Sequence, residues 1–218
     1  MDSTRFVFIL STVAYFVSFF VSIKMVLRSR NHSNIIDLVW YCTLAFLLSS
    51  IKQLQILNVL KFSDIDPFLT ISVLFHYCFL GFYILRELKG RAIKHVASVS
   101  FFIFYLASIW GTQSQLQDHN MLGFIITSVG LFILSVVYFL DLFGRIKEKP
   151  FWFFPDFWVV SGIFVLNSIN IPPYLFSTFL YYNSPKLYNT VFLIHSFAYI
   201  LMHLFFIKGM LCQIQRRS

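Results

Sequence analysis

The chain has 218 residues, 58% of them apolar and 12% charged, with a formal charge of +8 and a mean hydropathy of +0.76. Soluble domains sit near ~45–50% apolar and ~25% charged, so the composition excludes an ordinary water-soluble globule and describes a polytopic membrane protein. The positive charge does not point to nucleic acid, because the basic residues stand in short clusters between hydrophobic runs, as membrane topology requires.

A helix needs ~20 apolar residues to cross a bilayer. Seven stretches meet that length, near 6–27, 36–59, 67–88, 96–110, 122–143, 157–181 and 190–211. The expected fold class is all-α, a seven-transmembrane-helix bundle forming a single integral membrane domain over 1–218. The first stretch has its positive charge after the apolar run and no small-residue cleavage site, so it reads as a retained helix, not a signal peptide. The fourth is the shortest and needs interfacial residues, or extension through His95 and Gly111, to cross.

Charge sets the expected orientation. With the N-terminus outside, the inner loops and tail hold Lys24, Arg28, Arg30, Arg86, Lys89, Arg91, Lys94, Arg145, Lys147, Lys149, Lys208, Arg216 and Arg217. Only Arg5, Lys52, Lys61 and Lys186 fall outside. This asymmetry predicts an external N-terminus, a cytoplasmic C-terminus and an odd number of spans. All loops are short, so the expected activity lies within the membrane or acts through a partner.

The sixth span is the most unusual. It opens on an aromatic patch (Phe151, Trp152, Phe153, Phe154, Phe157 and Trp158) suited to the boundary between lipid and water. Further along it carries Asn167, Asn170 and the adjacent pair Pro172 and Pro173. Two prolines remove two backbone donors, leave the carbonyls of Ser168 and Ile169 without their usual partners, and push Ile171 and Pro172 from helical angles. One reading makes this a hinge at Pro172 and Pro173, in the wall of an internal site, since broken backbone at membrane depth must be satisfied by protein or trapped water. The other is a kink repaired by Ser168 or by a neighbouring helix.

Helical rise places the polar residues. Lys52, with Gln53 and Gln55, stands roughly 20 Å above the inner boundary. His76 lies ~13 Å in from outside, Asn167, Asn170 and the proline pair ~15–24 Å above Phe157, and His195 ~8–9 Å from outside. All fall in the outer half of the membrane. His195, Tyr199 and His203 recur every four residues and form one stripe; Asn167 and Asn170 share a face. The candidate ligand-binding residues are therefore Lys52, Gln53, His76, Asn167, Asn170, His195 and Tyr199, ringing a polar pocket open to the exterior. The competing readings are a snorkelling Lys52 and polar residues that only join helices. Gly123 with Gly130, and Ser161 with Gly162, mark thin faces for close packing. Asp141, near Arg145, reads as an interfacial ion pair.

Enzymatic readings find little support. His195 and His203 stand ~12 Å apart along one helix, too far to share a metal, and no acid lies at their depth. Cys42, Cys78 and Cys212 show no metal or redox spacing. A retinal protein needs a mid-span lysine in its last helix, whereas Lys208 lies at the inner end. A coupled transporter usually shows a mid-membrane carboxylate, and Glu87 and Asp141 both stand near the inner face. The expectation is a non-enzyme without cofactor or metal.

The string PDFWVVSGIFVLNS, beginning at Pro155, and the last span LYNTVFLIHSFAYILMHLFFIKGMLCQ, with His195 followed by Ser196, resemble segments of small seven-helix bacterial membrane proteins associated with LytS-like sensor histidine kinases. The resemblance covers spans six and seven and the overall layout; the pair Pro172 and Pro173 departs from it. It implies a sensory or accessory role and transfers no residue roles. The expected protein is thus a receptor or signalling-accessory module of the bacterial inner membrane. Its expected partners are the lipid bilayer, a small or lipidic ligand, and a membrane or cytoplasmic signalling protein, with no nucleic acid. A small permease or channel using the same cavity, and a structural membrane subunit, are the alternatives.

Overall fold

The computed structural model describes residues 13, 16–21, 23–24, 40–45, 47, 66–118, 122–145 and 150–215. Most of the first two expected spans lies outside the described residues. Every regular element among the described residues is helical: α1 (Asp66–Glu87), α2 (Arg91–Asp118), α3 (Leu122–Arg145), a 3-10 turn (Phe151–Phe153), α4 (Pro155–Asn183) and α5 (Pro185–Gln215). These five helices correspond to expected spans three to seven. Residues 16–21 and 40–45 are helical as well.

Within these helices, four segments are long and apolar enough to cross a membrane: Arg91–Gly111, Leu122–Arg145, Pro155–Ser177 and Leu193–Gln213. The fourth expected span is longer than its apolar run, because α2 has 28 residues. It begins where the Lys94 amide donates to the Gly90 carbonyl at 2.8 Å. Arg91 and Lys94 before the apolar run, and Gln113 and Gln115 after it, are good helix formers that a hydropathy reading leaves out.

The start of α4 corrects the reading of one helix opening on the aromatic patch. Phe151–Phe153 forms its own 3-10 turn, Phe154 is extended at φ −91° and ψ 118°, and Pro155 opens the helix. Proline suits the first helical position, where its missing N–H costs nothing, and it drives the preceding residue to extended angles. Asp156 in the first turn complements the positive end of the helix. The helix then runs without interruption through Pro172 and Pro173 to Asn183. The two prolines delete ladder bonds without ending the helix, and the Ser168 hydroxyl is spent on the Phe164 carbonyl at 2.7 Å. A single residue, Ser184, separates α4 from α5. Its amide donates to the Leu180 carbonyl at 2.8 Å, closing the last turn.

Contact pairs fix the directions. Gly209 lies against Pro155 and Val159, Gly162 against Met202 and Phe205, and Asn170 against His195. Residue numbers fall along α5 as they rise along α4, so the two are antiparallel, and they share the largest helix–helix interface among the described elements. Phe139 meets Phe157, Phe132 meets Phe164 and Phe124 meets Tyr174, so α3 is antiparallel to α4. On its other side α3 packs on α2 and α1. A Cβ added at Gly130 would stand 2.8 Å from the Tyr77 ring, and one at Gly111 would stand 3.1 Å from the Gly123 amide. Gly123 and Gly130 thus form the thin face expected of them. The bundle has one end carrying Glu87, Asp141 and Asp156, and another carrying Tyr174 and His195.

Apolar side chains fill the core and also cover much of the outer surface. Val96, Val99, Ile103, Leu106 and Trp110 form an exposed stripe on α2, and Ile194, Phe197, Leu201, Leu204 and Leu211 form one on α5. Ser108, Thr127, Ser128, Ser135, Asn167, Asn170, Ser177 and His203 are buried. Apolar stripes of this extent face outward at little cost only against an apolar medium. Several buried hydroxyls return to their own helix, as Ser108 does to Phe104 at 2.7 Å and Ser135 to Leu131 at 2.8 Å.

Candidate functional site

Two polar clusters occupy opposite ends of the bundle. The first gathers on α4 and α5. His195 Nδ1 lies 2.9 Å from Asn170 Oδ1 and 3.0 Å from the Tyr174 hydroxyl. A carboxamide oxygen only accepts, so this pattern assigns the proton to Nδ1, which donates to Asn170 and also faces the Tyr174 oxygen. Nε2 then keeps its lone pair. Asn170 and Tyr174 are both buried, one helical turn apart on the same face of α4, and Pro172 and Pro173 fall between them. The contact therefore bridges two helices at the point where one of them lacks two ladder bonds.

From His195 the cluster continues through aromatic rings. Tyr199, one turn along α5, meets the His195 ring edge-on with centroids 4.8 Å apart. On its other side it stands 5.7 Å from the His76 ring of α1. His76 Nδ1 pairs with the Tyr41 hydroxyl at 2.8 Å. Its Nε2 is buried without a hydrogen-bond partner among the described residues. One turn beyond Tyr199, the buried His203 packs against Phe206 at 5.8 Å, and Phe206 also meets Tyr41 at 5.9 Å.

The expected residues thus fall into three groups. Asn170 and His195 meet directly, with His76 joined to them through Tyr199. Asn167 takes no part in that chain of contacts: its amide donates to the Ile163 carbonyl of its own helix at 2.7 Å. Lys52 and Gln53 lie outside the described residues. Tyr174 and Tyr41 are contributors that the sequence reading missed. Tyr174 carried a usable signal, its position four residues after Asn170. Tyr41 carried none, since its partner is 35 residues away in the chain.

The second cluster lies at the other end. Asp141 of α3 pairs with Arg145 at 2.9 Å, as its spacing implied. Its two carboxylate oxygens also accept the amides of Lys89 and Gly90, each at 3.2 Å, in the connection between α1 and α2. A Cβ at residue 90 would stand 3.0 Å from Asp141 Oδ1, so a side chain there would crowd this grip. Nearby, the buried Tyr83 hydroxyl donates to Asp156 Oδ1 at 2.9 Å, tying α1 to the start of α4. Glu87, buried one turn beyond Tyr83, brings a second carboxyl close to that of Asp156. Arg86 Nε stands 3.6 Å from Glu87. At the rim the Trp158 indole donates to the Trp152 carbonyl at 2.8 Å, and Lys208 Nζ sits 5.7 Å over the Trp158 ring. Among the described residues, no three His, Cys, Asp or Glu side chains come together as metal ligands.

No family model matches the chain, and neither a curated protein nor a solved structure matches it.

Proposed function

We propose that the chain is a membrane-embedded receptor or signalling-accessory protein whose ligand acts on the contact between Asn170, Tyr174 and His195. The observation that carries this reading is the place of that contact. It clamps α4 to α5 beside Pro172 and Pro173, where α4 has lost two internal bonds and bends most readily. A ligand that takes the hydrogen bonds of His195 or Asn170 favours one arrangement of the two halves of α4, and so shifts a two-state equilibrium. The far end of α4 holds Asp156, bonded to Tyr83, so a movement there reaches α1. In the orientation favoured by the basic residues, with the N-terminus outside a bacterial inner membrane, that far end faces the cytoplasm and a signalling partner.

The test is a thermal-stability screen of the purified chain in detergent against a panel of small polar molecules and lipids. A ligand present at a hundred times its Kd stabilises by ~2.7 kcal/mol. The reading expects at least one such compound, with the shift abolished by Asn170→Leu and by His195→Leu. If every stabilising compound acts equally on both variants, the contact is not the site.

A further inference from the structure

Ionisable side chains, of which His203, Tyr83 and Glu87 are buried, form a file from one end of the bundle to the other, and we propose that this file conducts protons. It begins at His195 and Tyr199 of α5, passes to His76 of α1, continues to His203, and ends on Tyr83 with the carboxyl pair Asp156 and Glu87. The inference goes beyond the receptor reading and requires no ligand at Asn170.

The placement is consistent along both helices. His195, Tyr199 and His203 descend α5 in steps of one turn, ~6 Å each. His76, Tyr83 and Glu87 descend α1 on one face, in steps of ~10.5 and ~6 Å. The ring contact of His76 with Tyr199 at 5.7 Å sets the two ladders at a common level. His203 then falls about one turn below His76, and Tyr83 lies ~4.5 Å lower along the axis. In this proposal internal water carries the step between them. From Tyr83 the path is direct: its hydroxyl is 2.9 Å from Asp156, whose carboxyl neighbours that of Glu87.

The groups suit a proton and not a larger ion. The rings of His195, Tyr199 and His76 pack at centroid distances of 4.8 and 5.7 Å, too close for a hydrated cation. Imidazole and phenol can accept a proton on one lone pair while releasing another. At His76 a proton arrives on Nε2, the atom without a partner among the described residues, as the Nδ1 site exchanges with Tyr41. Only N–H and O–H bonds form and break, nothing is oxidised, and the membrane proton gradient supplies the drive. Other ionisable groups face the file. Tyr138 of α3 stands beside Tyr83, Asp156 and Glu87, while Arg86 and Lys89 stand beside Glu87 and modulate its end.

The full chain, reconstituted into vesicles with a trapped pH-sensitive dye, is challenged with an inside-negative potassium diffusion potential. The expected result is acidification several-fold faster than in protein-free vesicles. His203→Leu and Asp156→Asn each lower the excess rate at least tenfold, and Ser161→Ala leaves it unchanged. Asp156→Asn retains an acceptor for Tyr83, so it tests the file even if His203→Leu does not fold. A wild-type rate equal to that of protein-free vesicles overturns the proposal. So does an unchanged rate in a monodisperse Asp156→Asn protein.

Discussion

Replacing Asp141 by leucine removes a carboxylate that holds three groups at once, and its cost can be worked from the geometry. Hydrogen bonds to a charged acceptor contribute ~1.5–3 kcal/mol each. At 3.2 Å the bonds from Lys89 and Gly90 belong at the low end of that range. The Arg145 side chain is 36% exposed, so its pair with Asp141 adds only ~0–1 kcal/mol. The sum is a loss of about 3–4 kcal/mol for Asp141→Leu. Asp141→Asn keeps one acceptor oxygen and the side-chain volume, so it loses about half as much. Equilibrium unfolding in mixed micelles measures both values, and amide hydrogen exchange reports Lys89 and Gly90 directly. Both amides exchange faster in Asp141→Leu than in the wild type. A loss below ~1 kcal/mol, with both amides still protected, refutes the view that Asp141 organises the connection between α1 and α2.

Gly162→Ala places a Cβ 2.9 Å from Phe205 Cβ and 3.0 Å from the Met202 carbonyl. It should cost ~1–3 kcal/mol by prising α4 from α5, and Gly162→Leu should cost more; a neutral alanine variant in the same unfolding assay contradicts this packing. A double-mutant cycle of Asn170→Leu and His195→Leu should give a coupling of ~0.6–1.7 kcal/mol, the range of interhelical hydrogen bonds in membranes, whereas additive effects would mean that the pair does not interact. For topology, single cysteines in place of Lys149 and Lys186 should react with impermeant reagents only from the cytoplasmic and only from the external side respectively. Labelling of both from one face rejects the orientation drawn from the basic residues.

Much of the helical layout was legible because apolar run length is set by the bilayer, and the ends of α1, α3, α4 and α5 fall within a few residues of the expected spans. The fourth span was underestimated because polar helix formers at its ends carry no hydropathy signal. At the site, Asn170 and His195 could be paired in advance, since each is polar at the same estimated depth. Tyr174 was overlooked because a tyrosine in an apolar run reads as an aromatic, although its spacing from Asn170 placed it on the right face. The Asp141 grip on Lys89 and Gly90 was invisible, since it depends on a connection 51 and 52 residues away returning to α3. The prolines suggest either a break or a repaired kink, because each deletes a ladder bond. Placed side by side they concentrate both losses in one turn, and the helix closes again on either side.

The central claim is that the contact at His195 controls the half of α4 beyond Pro172 and Pro173. Its most direct test is the distance between spin labels at Leu175 and Leu204, both on outward faces of their helices, measured in bilayers with and without a stabilising compound from the screen. The account predicts a change in that distance on binding, abolished by His195→Leu and reduced when both prolines are replaced by alanine. An unchanged distance on binding, or the same change in all three proteins, contradicts it.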